Sequence, residues 1–306
     1  MQKITIAIPA YNRKDYLIKC LESILHQTFQ DFEIIIFDNH SDYNIANLIN
    51  QFCDSRISFI QNDANVGQLG NFNKVVKYQF NSPYVMIFHD DDTMHPQLLE
   101  RTLKVLENNY NLLWVGTNLR FVHDSSDMDK FKELPKEVKF SVYNSVELTR
   151  LLLNNFHLAF DTVLYRTNCM IDSESFSLEY NKWFDRPFLV ELSKKGEIGI
   201  IDEPLVNYRM HPGQVAKTDD CKIFDYIINL FKFYFNSLPK PLTKLDEKLF
   251  FKWSTNNLLQ SASNFSSSLG GYINLLKKCS QLNLFKFSYI NARGLYYFLK
   301  AFIKFL

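Results

Sequence analysis

The sequence has no pair of cysteines at metal-clip spacing. Its five cysteines, Cys20, Cys53, Cys169, Cys221 and Cys279, are scattered and odd in number. This excludes a CxxC zinc site and a disulfide framework and fits unpaired thiols in a reducing cytoplasm. No uninterrupted apolar stretch reaches the length that spans a bilayer. The opening run Ile4-Thr5-Ile6-Ala7-Ile8 lacks the long apolar region and cleavage site of a signal peptide. Net charge is close to absent, at +1, which argues against bulk nucleic-acid binding. Nor is there an internal repeat.

Acidic residues are missing from one whole region. None follows Glu247, whereas Lys248, Lys252, Lys277, Lys278, Lys286, Arg293, Lys300 and Lys304 do. A basic, aromatic tail on an acidic body suggests a protein resting on an anionic membrane surface.

What is present in quantity is apolar. Hydrophobic residues make up 46% of 306, enough to bury a large α/β core with an appendage. The 28 phenylalanines are many for such an enzyme-sized chain, so some rings are expected to face a sugar, a partner or a lipid surface.

Periodicity in the first half alternates between strand and helix. Ile4–Ile8 is a strand, and Leu17, Leu21, Ile24 and Leu25 share a helical face. Glu33–Phe37 is a continuous apolar run of the buried parallel type, ending at Asp38. Ile45, Leu48, Ile49 and Phe52 follow helical spacing, Ile57–Ile60 reads as a strand and Asn71–Phe80 as a helix. Tyr84–Phe88 is a strand ending in His89-Asp90-Asp91-Asp92, with a further helical stripe at Leu98, Leu99, Leu103 and Leu106. This order predicts an α/β fold with a Rossmann-like, mostly parallel sheet flanked by helices. Trp114–Thr117, Ile198–Ile201 and Leu205–Tyr208 read as further strands, 124–139 as a surface loop, and 145–155 and 183–195 as helices, the second capped by Gly196. From about 221 the pattern is helical, broken at Pro239, Pro241 and the serine-rich 261–268.

Ligands of such sheets bind outside the carboxyl ends of the strands. The polar clusters Pro9–Asn12, Asp38–Asp42, Asn62–Gly67 and Asp90–Asp92 all fall there, which predicts one composite site. Three adjacent carboxylates repel one another unless a cation compensates. A hard divalent ion, Mn²⁺ or Mg²⁺, would do so and could hold a diphosphate. The same triplet also reads as a solvated acidic turn at a helix N-terminus. Asp38 is placed to accept a bond from a base or ribose, or to close an Asx-turn with Asp42. Tyr11 is placed to stack on a nucleobase, or simply to pack. Asn65-Val66-Gly67, with Asn71 and Asn73, forms an amide-rich loop suited to close approach by a ribose or diphosphate, or to an ordinary turn.

Thr5-Ile6-Ala7-Ile8-Pro9-Ala10-Tyr11-Asn12-Arg13 resembles the opening motif of the family 2 glycosyltransferases, which have the GT-A fold. The resemblance continues through Leu21–Thr28, Phe32–Asn39, Ser41-Asp42, Asn65-Val66-Gly67, Asn73 and Tyr84–Asp92, and covers roughly residues 3–215. It implies an inverting transferase that takes a sugar from a nucleotide-diphosphate donor, a UDP-sugar first among them. The acceptor would be a saccharide or lipid-linked saccharide of a bacterial surface polysaccharide.

The resemblance also implies roles. Pro9, Tyr11, Asn12, Asp38, Asn65, Asn73 and Asp90 would hold the donor, and Asp91, Asp92 and His211 the metal. His211 closes Val206-Asn207-Tyr208-Arg209-Met210-His211, which is similar to the family's closing strand motif; a structural hydrogen bond is the other reading of this histidine. His89 stands where many members have Asp, as ligand or neighbour. Asp185 would be the base that removes the acceptor proton, with Phe184 in place of the usual Glu and Glu179 as the alternative. A helix cap is the other reading of Asp185.

The implied organisation is a GT-A catalytic domain over 1–215, donor side first and acceptor side second, followed by a helical extension over 216–306. On a helix, Arg293, Tyr297, Lys300 and Lys304 would share one face and Leu295, Phe298, Leu299, Phe302 and Leu306 another. Residues 285–306 therefore read as an interfacial helix on the inner face of a membrane, or as a helix packed on the protein. Two other function classes fit parts of the pattern. One is a non-catalytic GT-A-like scaffold of a polysaccharide assembly complex. The other is a metal-dependent nucleotidyltransferase, although no glycine-rich, basic phosphate loop follows the first strand.

Overall fold

The computed structural model describes residues 2–123, 125–170, 176–211, 223–265 and 268–305. Cys221, Leu306 and the expected boundary at 215/216 lie outside them. The other four cysteines are free.

Strand β1 (Ile4–Ala10) buries all seven residues. Such a strand is covered on both faces, as in the parallel sheets of α/β folds, and β1 lies between β2 (Phe32–Asp38) and β4 (Tyr84–Ile87), parallel to both. Each fully buried isoleucine contributes about 1.5–3 kcal/mol relative to exposure. Between these strands come α1 (Lys14–Leu25), α2 (Ile45–Ile49), β3 (Ile57–Gln61) and α3 (Gly67–Lys77). Helix α1 turns Leu17, Cys20, Leu21 and Ile24 onto the sheet.

Then follow β5 (Thr93–Met94), α4 (Leu98–Asn108), β6 (Leu112–Val122), β7 (Phe140–Tyr143), α5 (Ser145–Leu153), β8 (Val163–Arg166), α6 (Thr167–Met170), α7 (Asp185–Ser193) and β9 (Glu197–Arg209). The sheet order is β3-β2-β1-β4-β8-β6-β9-β5, with β7 also paired to β9. The side holding β1 to β4 is parallel, as expected; β5, β7 and β8 add antiparallel pairings.

Three differences from the sequence expectation have local causes. The apolar pattern predicts two strands between 198 and 208, but β9 is one strand of 13 residues. Pro204 sits opposite Asn118, where the register shifts, so an irregularity absorbs the proline instead of ending the strand. Helix α3 starts at Gly67, not Asn71, because Asn39 and Asn65 accept the first free backbone N–H groups. The expected loop is tethered over its described residues 125–139: Met128 is buried and its carbonyl accepts bonds from Thr93 and Asn207.

The C-terminal part is helical: α8 (Ile223–Ser237), α9 (Lys244–Phe265), α10 (Leu269–Gln281) and α11 (Ala292–Phe305). Pro239 and Pro241 separate α8 from α9, as expected. The serine-rich 261–268 also separates helices, as expected: α9 ends at Phe265, with Ala262 and Ser263 still buried, and α10 begins at Leu269.

Two compact units divide the chain. The first comprises Met1–Asn144, His157–Phe176 and Glu191–Gln214; the second comprises Ser145–Phe156, Ser177–Val190 and Val215–Leu306. The first holds the sheet. Within the second, Arg150 on α5 reaches α9 through a two-pronged ion pair with Asp246, at 2.7 and 3.1 Å. Helix α11 lays Gly294 and the buried Ala301 toward α9, whose Asn256 and Leu259 crowd the glycine.

Candidate active site

The strand ends of the first unit converge as polar turns. After β1 the chain bends at Asn12, whose φ of 51° is a left-handed conformation that asparagine tolerates. The bend is pinned on both sides. Asn12 Nδ2 donates to Asp42 at 2.8 Å, Asp42 N donates to Asn12 Oδ1 at 2.7 Å, and Asn12 N donates to Ser41 at 3.0 Å. Pro9 lies within the strand opposite Phe37. Tyr11 leaves its ring 40% exposed while its backbone N–H donates to Asp90.

Asp38 is fully buried at the end of β2. It accepts from the Ser41 backbone and, at 2.8 Å, from Gln61, so it closes the local turn expected of an Asx residue. An amide network lies beside it. Asn39 bridges Asn65, Asn62 and the Val66 N–H, and Asn62 bonds Asn71, which caps the Phe37 carbonyl. Lys74 donates to Asn62 at 2.7 Å. Asn65 is therefore part of the rim through a bond with Asn39. Asn73 is turned away from the rim, and both of its amide atoms bond the backbone of Phe176.

The carboxylate triplet follows β4, and its members diverge. Asp90 and Asp91 meet Arg13, one of whose guanidinium nitrogens lies 2.9 Å from Asp90 Oδ1 and 2.9 Å from Asp91 Oδ2. His211 Nε2 lies 2.9 Å from the same Asp91 oxygen. Burial and the neighbouring Asp91 push Asp90 up to about 7, against the pull of Arg13. Burial acts the same way on Asp91, but the bond from His211 and the charges of Arg13 and His89 outweigh it and hold that carboxyl below its ordinary value. Carboxylate oxygens suit Mn²⁺ or Mg²⁺, and the imidazole nitrogen beside them tips the donor set toward Mn²⁺. Asp90, Asp91 and His211 thus fit a divalent ion by chemistry.

Asp92 faces elsewhere. Its Oδ1 accepts the Arg209 backbone N–H at 2.7 Å, and its Oδ2 lies 3.1 Å from His89 Nδ1. The expected ligand set of Asp91, Asp92 and His211 is therefore split: Asp91 pairs with His211, and Asp92 pairs with His89. The physical reason is the strong backbone donor of β9, which takes up one Asp92 oxygen and orients the carboxylate inward. Asp161, just before β8, completes this inner group. It is fully buried, and neither carboxylate oxygen accepts a hydrogen bond within the described residues. One of its oxygens lies 3.9 Å from His89 Nδ1. Ligand atoms of His89, Asp92 and Asp161 all lie within 4.8 Å of one another. Burial works against protonation of His89, but Asp161 and Asp92 prevail and raise it to about 10. Burial pushes Asp161 well above the usual carboxylate range. Burial favours the neutral acid at Asp161, whereas an ionised Asp161 favours the imidazolium at His89, so the two share their protons as a pair beside Asp92.

Arg209, in the closing strand motif, turns inward as well. Its Nε donates to the Asp91 carbonyl at 2.7 Å, and its guanidinium lies 4.4 Å from the Tyr16 ring centre. Sequence reasoning assigns no role to two residues of this site. Arg13 is only a letter of the opening motif. Asp161 leaves one signal, a lone carboxylate in the largely apolar Leu158–Leu164 stretch.

Asp185 opens α7 and belongs to the second unit, as does Glu179, which is exposed in the 3₁₀ turn Leu178–Trp183. The Glu179 backbone N–H donates to Ser177 Oγ, and its carbonyl accepts from Asn229.

Comparison with known proteins identifies the family and the fold. The sequence profile of glycosyl transferase family 2 matches residues 5–170. An uncharacterized glycosyltransferase of Haemophilus influenzae is 26% identical over 222 residues, covering 70% of this chain and 67% of the relative. The UDP-Glc:alpha-D-GlcNAc-diphosphoundecaprenol beta-1,3-glucosyltransferase WfgD of Escherichia coli is 26% identical over 165 residues, 51% of this chain and 64% of that protein. In fold, the chain resembles S. aureus TarS 1-349 in complex with UDP-GlcNAc, with a TM-score of 0.65 at 17% identity, covering 91% of this chain and 81% of that one. It also resembles the mannosyltransferase PcManGT of Pyrobaculum calidifontis in complex with GDP-Man and Mn²⁺, with a TM-score of 0.57 at 13% identity, covering 99% and 86%. With more than half its length matched by that profile and its strand-end turns built as described, the chain belongs to the family 2 glycosyltransferases.

Proposed function

We propose that the enzyme transfers a sugar from a nucleotide-diphosphate donor to an acceptor hydroxyl with inversion at the anomeric carbon. The observation that carries this reading is the set of Arg13, Asp90, Asp91 and His211 at the carboxyl end of β4, facing the turn that presents Tyr11. Tyr11 offers its exposed side chain to a nucleobase, and exposed Asn65, bonded to Asn39, offers an amide on the same rim; Asp38, the base or ribose contact of this reading, would exchange its bonds from Ser41 and Gln61 to make it. Asp90 is the third donor contact. Asp91 and His211 would hold the Mn²⁺ or Mg²⁺ ion, which would supply positive charge against the departing diphosphate.

Asp185 is the base. It takes the proton of the acceptor hydroxyl while that oxygen attacks the anomeric carbon opposite the diphosphate. The electron pair of the breaking bond leaves with the diphosphate. A UDP-sugar is the proposed donor, supported by the UDP-GlcNAc complex of TarS and by the UDP-Glc in the name of WfgD. A lipid-linked saccharide of a bacterial surface polysaccharide is the proposed acceptor, supported by the diphosphoundecaprenol in that same name.

We place the enzyme on the inner face of a membrane. No helix among the described residues is long and apolar enough to cross one. Helix α11 exposes Leu295, Leu299 and Ile303 at successive turns, beside Lys300, an amphipathic pattern suited to an anionic interface. Calorimetric titration with UDP, GDP and dTDP, each with and without Mn²⁺, tests the site. Metal-dependent binding of one diphosphate is expected; no binding of any by folded protein would overturn the reading.

A further inference from the structure

Arg13 has the geometry of a resident cation. It is the N-cap residue of α1, but its side chain makes no capping bond. The pinned Asn12 bend turns its guanidinium into the carboxylate group, where one nitrogen bridges Asp90 Oδ1 and Asp91 Oδ2 at 2.9 Å each. The Asp91 oxygen it holds is the one that His211 Nε2 approaches at 2.9 Å. A guanidinium and a divalent ion cannot both occupy the space between these oxygens. The two charges would repel, and the lone pairs that Arg13 takes are the ones a metal needs. The Arg13 side chain is 26% exposed, so it borders solvent and has a direction in which to move.

We infer that Arg13 is a built-in counter-ion that holds Asp90 and Asp91 closed to divalent metal and gives way when a nucleoside diphosphate arrives. This inference rests on the proposed donor and metal site. A diphosphate offers the guanidinium a new anionic partner with the two-pronged geometry that arginine favours. Released from Arg13, the Asp91 oxygen turns to the metal beside His211. Metal and nucleotide thereby bind cooperatively, and the coupling is reciprocal: each raises the affinity for the other by the same factor. The arrangement also keeps the carboxylates compensated before substrate arrives, since two adjacent buried anions without a cation carry a large desolvation and repulsion cost.

The test measures Mn²⁺ binding, not turnover. Free Mn²⁺ is titrated by electron paramagnetic resonance against the full-length wild type, Arg13→Gln and Arg13→Lys, each with and without saturating UDP. Circular dichroism confirms the fold of every variant. Arg13→Gln is expected to bind Mn²⁺ alone about ten-fold tighter than wild type, because a competing charge next to the ligands has gone. The same variant is expected to bind UDP at saturating Mn²⁺ about ten-fold more weakly, so that the coupling between the two ligands collapses. Arg13→Lys is expected to lie nearer the wild type in both. Unchanged or weaker Mn²⁺ binding by Arg13→Gln, with wild type still taking up Mn²⁺ and UDP together, overturns the counter-ion role and leaves the donor site standing. No Mn²⁺ uptake by either protein, with or without UDP, overturns both.

Discussion

His89 Nδ1 lies 3.9 Å from Asp161 Oδ1, a carboxylate with no exposed surface and no hydrogen bond from any described residue. Asp92, bonded to His89 on one side and to the Arg209 backbone on the other, joins the same buried group. The histidine supplies the positive charge that the neighbouring carboxylates require.

This pairing sets a pH dependence of stability. A histidine raised to about 10 in the folded state adds stability that is complete below its unfolded value of 6.5 and lost as pH rises through 10. The raised Asp161 and Asp90 act in the same sense, because the folded protein keeps protons that the unfolded chain gives up. Urea denaturation of the metal-free protein is expected to show stability falling between pH 6.5 and 10, by a few kcal/mol at most. His89→Gln should flatten that fall, and Asp161→Asn should flatten it too, because it removes the carboxylate charge that raises His89. An unchanged slope in His89→Gln would count against a charged imidazole.

The base assignment separates binding from chemistry. Asp185→Asn is expected to lower kcat by roughly 10²–10⁴, the range for loss of a general base, while donor affinity stays within a few-fold. Glu179→Gln should leave kcat near wild type. The reverse pattern in steady-state assays would move the role to Glu179.

Loss of either proposed metal contact should show in binding before it shows in rate. Asp91→Asn and His211→Ala are each expected to weaken Mn²⁺ binding in the presence of UDP by at least about ten-fold, because each removes one ligand. Asp92→Asn, whose oxygens face Arg209 and His89, should change Mn²⁺ affinity far less and stability more. Calorimetry on the three variants distinguishes the expected metal set from the one the geometry favours.

The packing of α11 on α9 depends on a residue without a side chain. A β-carbon at Gly294 would collide with Asn256 Oδ1, and Asn256 is buried and bonded to the carbonyls of Lys252 and Tyr289. Gly294→Ala should therefore destabilise the helical part by about 1–3 kcal/mol, read as a lower denaturation midpoint. Gly270, with nothing near its would-be β-carbon, serves as the control.

Membrane attachment is best tested without cutting the helix, since α11 also packs through the buried Ala301. Leu299→Asp with Ile303→Asp alters only exposed positions. The pair is expected to abolish co-sedimentation with anionic vesicles while sparing UDP binding. Sedimentation equal to wild type would remove the interfacial role.

Local patterning alone carried the parallel half of the sheet and the emergence of polar turns at its strand ends. Apolar runs such as Ile34–Phe37 and Tyr84–Phe88 have only one stable place, and polar residues directly after them must emerge at the strand ends. It also determined that α11 is amphipathic, because helical periodicity is a local property. Tertiary structure decided which partners those residues take. Whether Asp92 joins Asp91 or turns to His89 depends on the Arg209 N–H that β9 brings up from far along the chain. That Asp161 closes the same buried group depends on the pairing of β8 beside β4. That Arg13 lies between Asp90 and Asp91 depends on a left-handed Asn12 held by Asp42. Periodicity records which face a side chain presents; only the juxtaposition of distant segments fixes the charge it meets there.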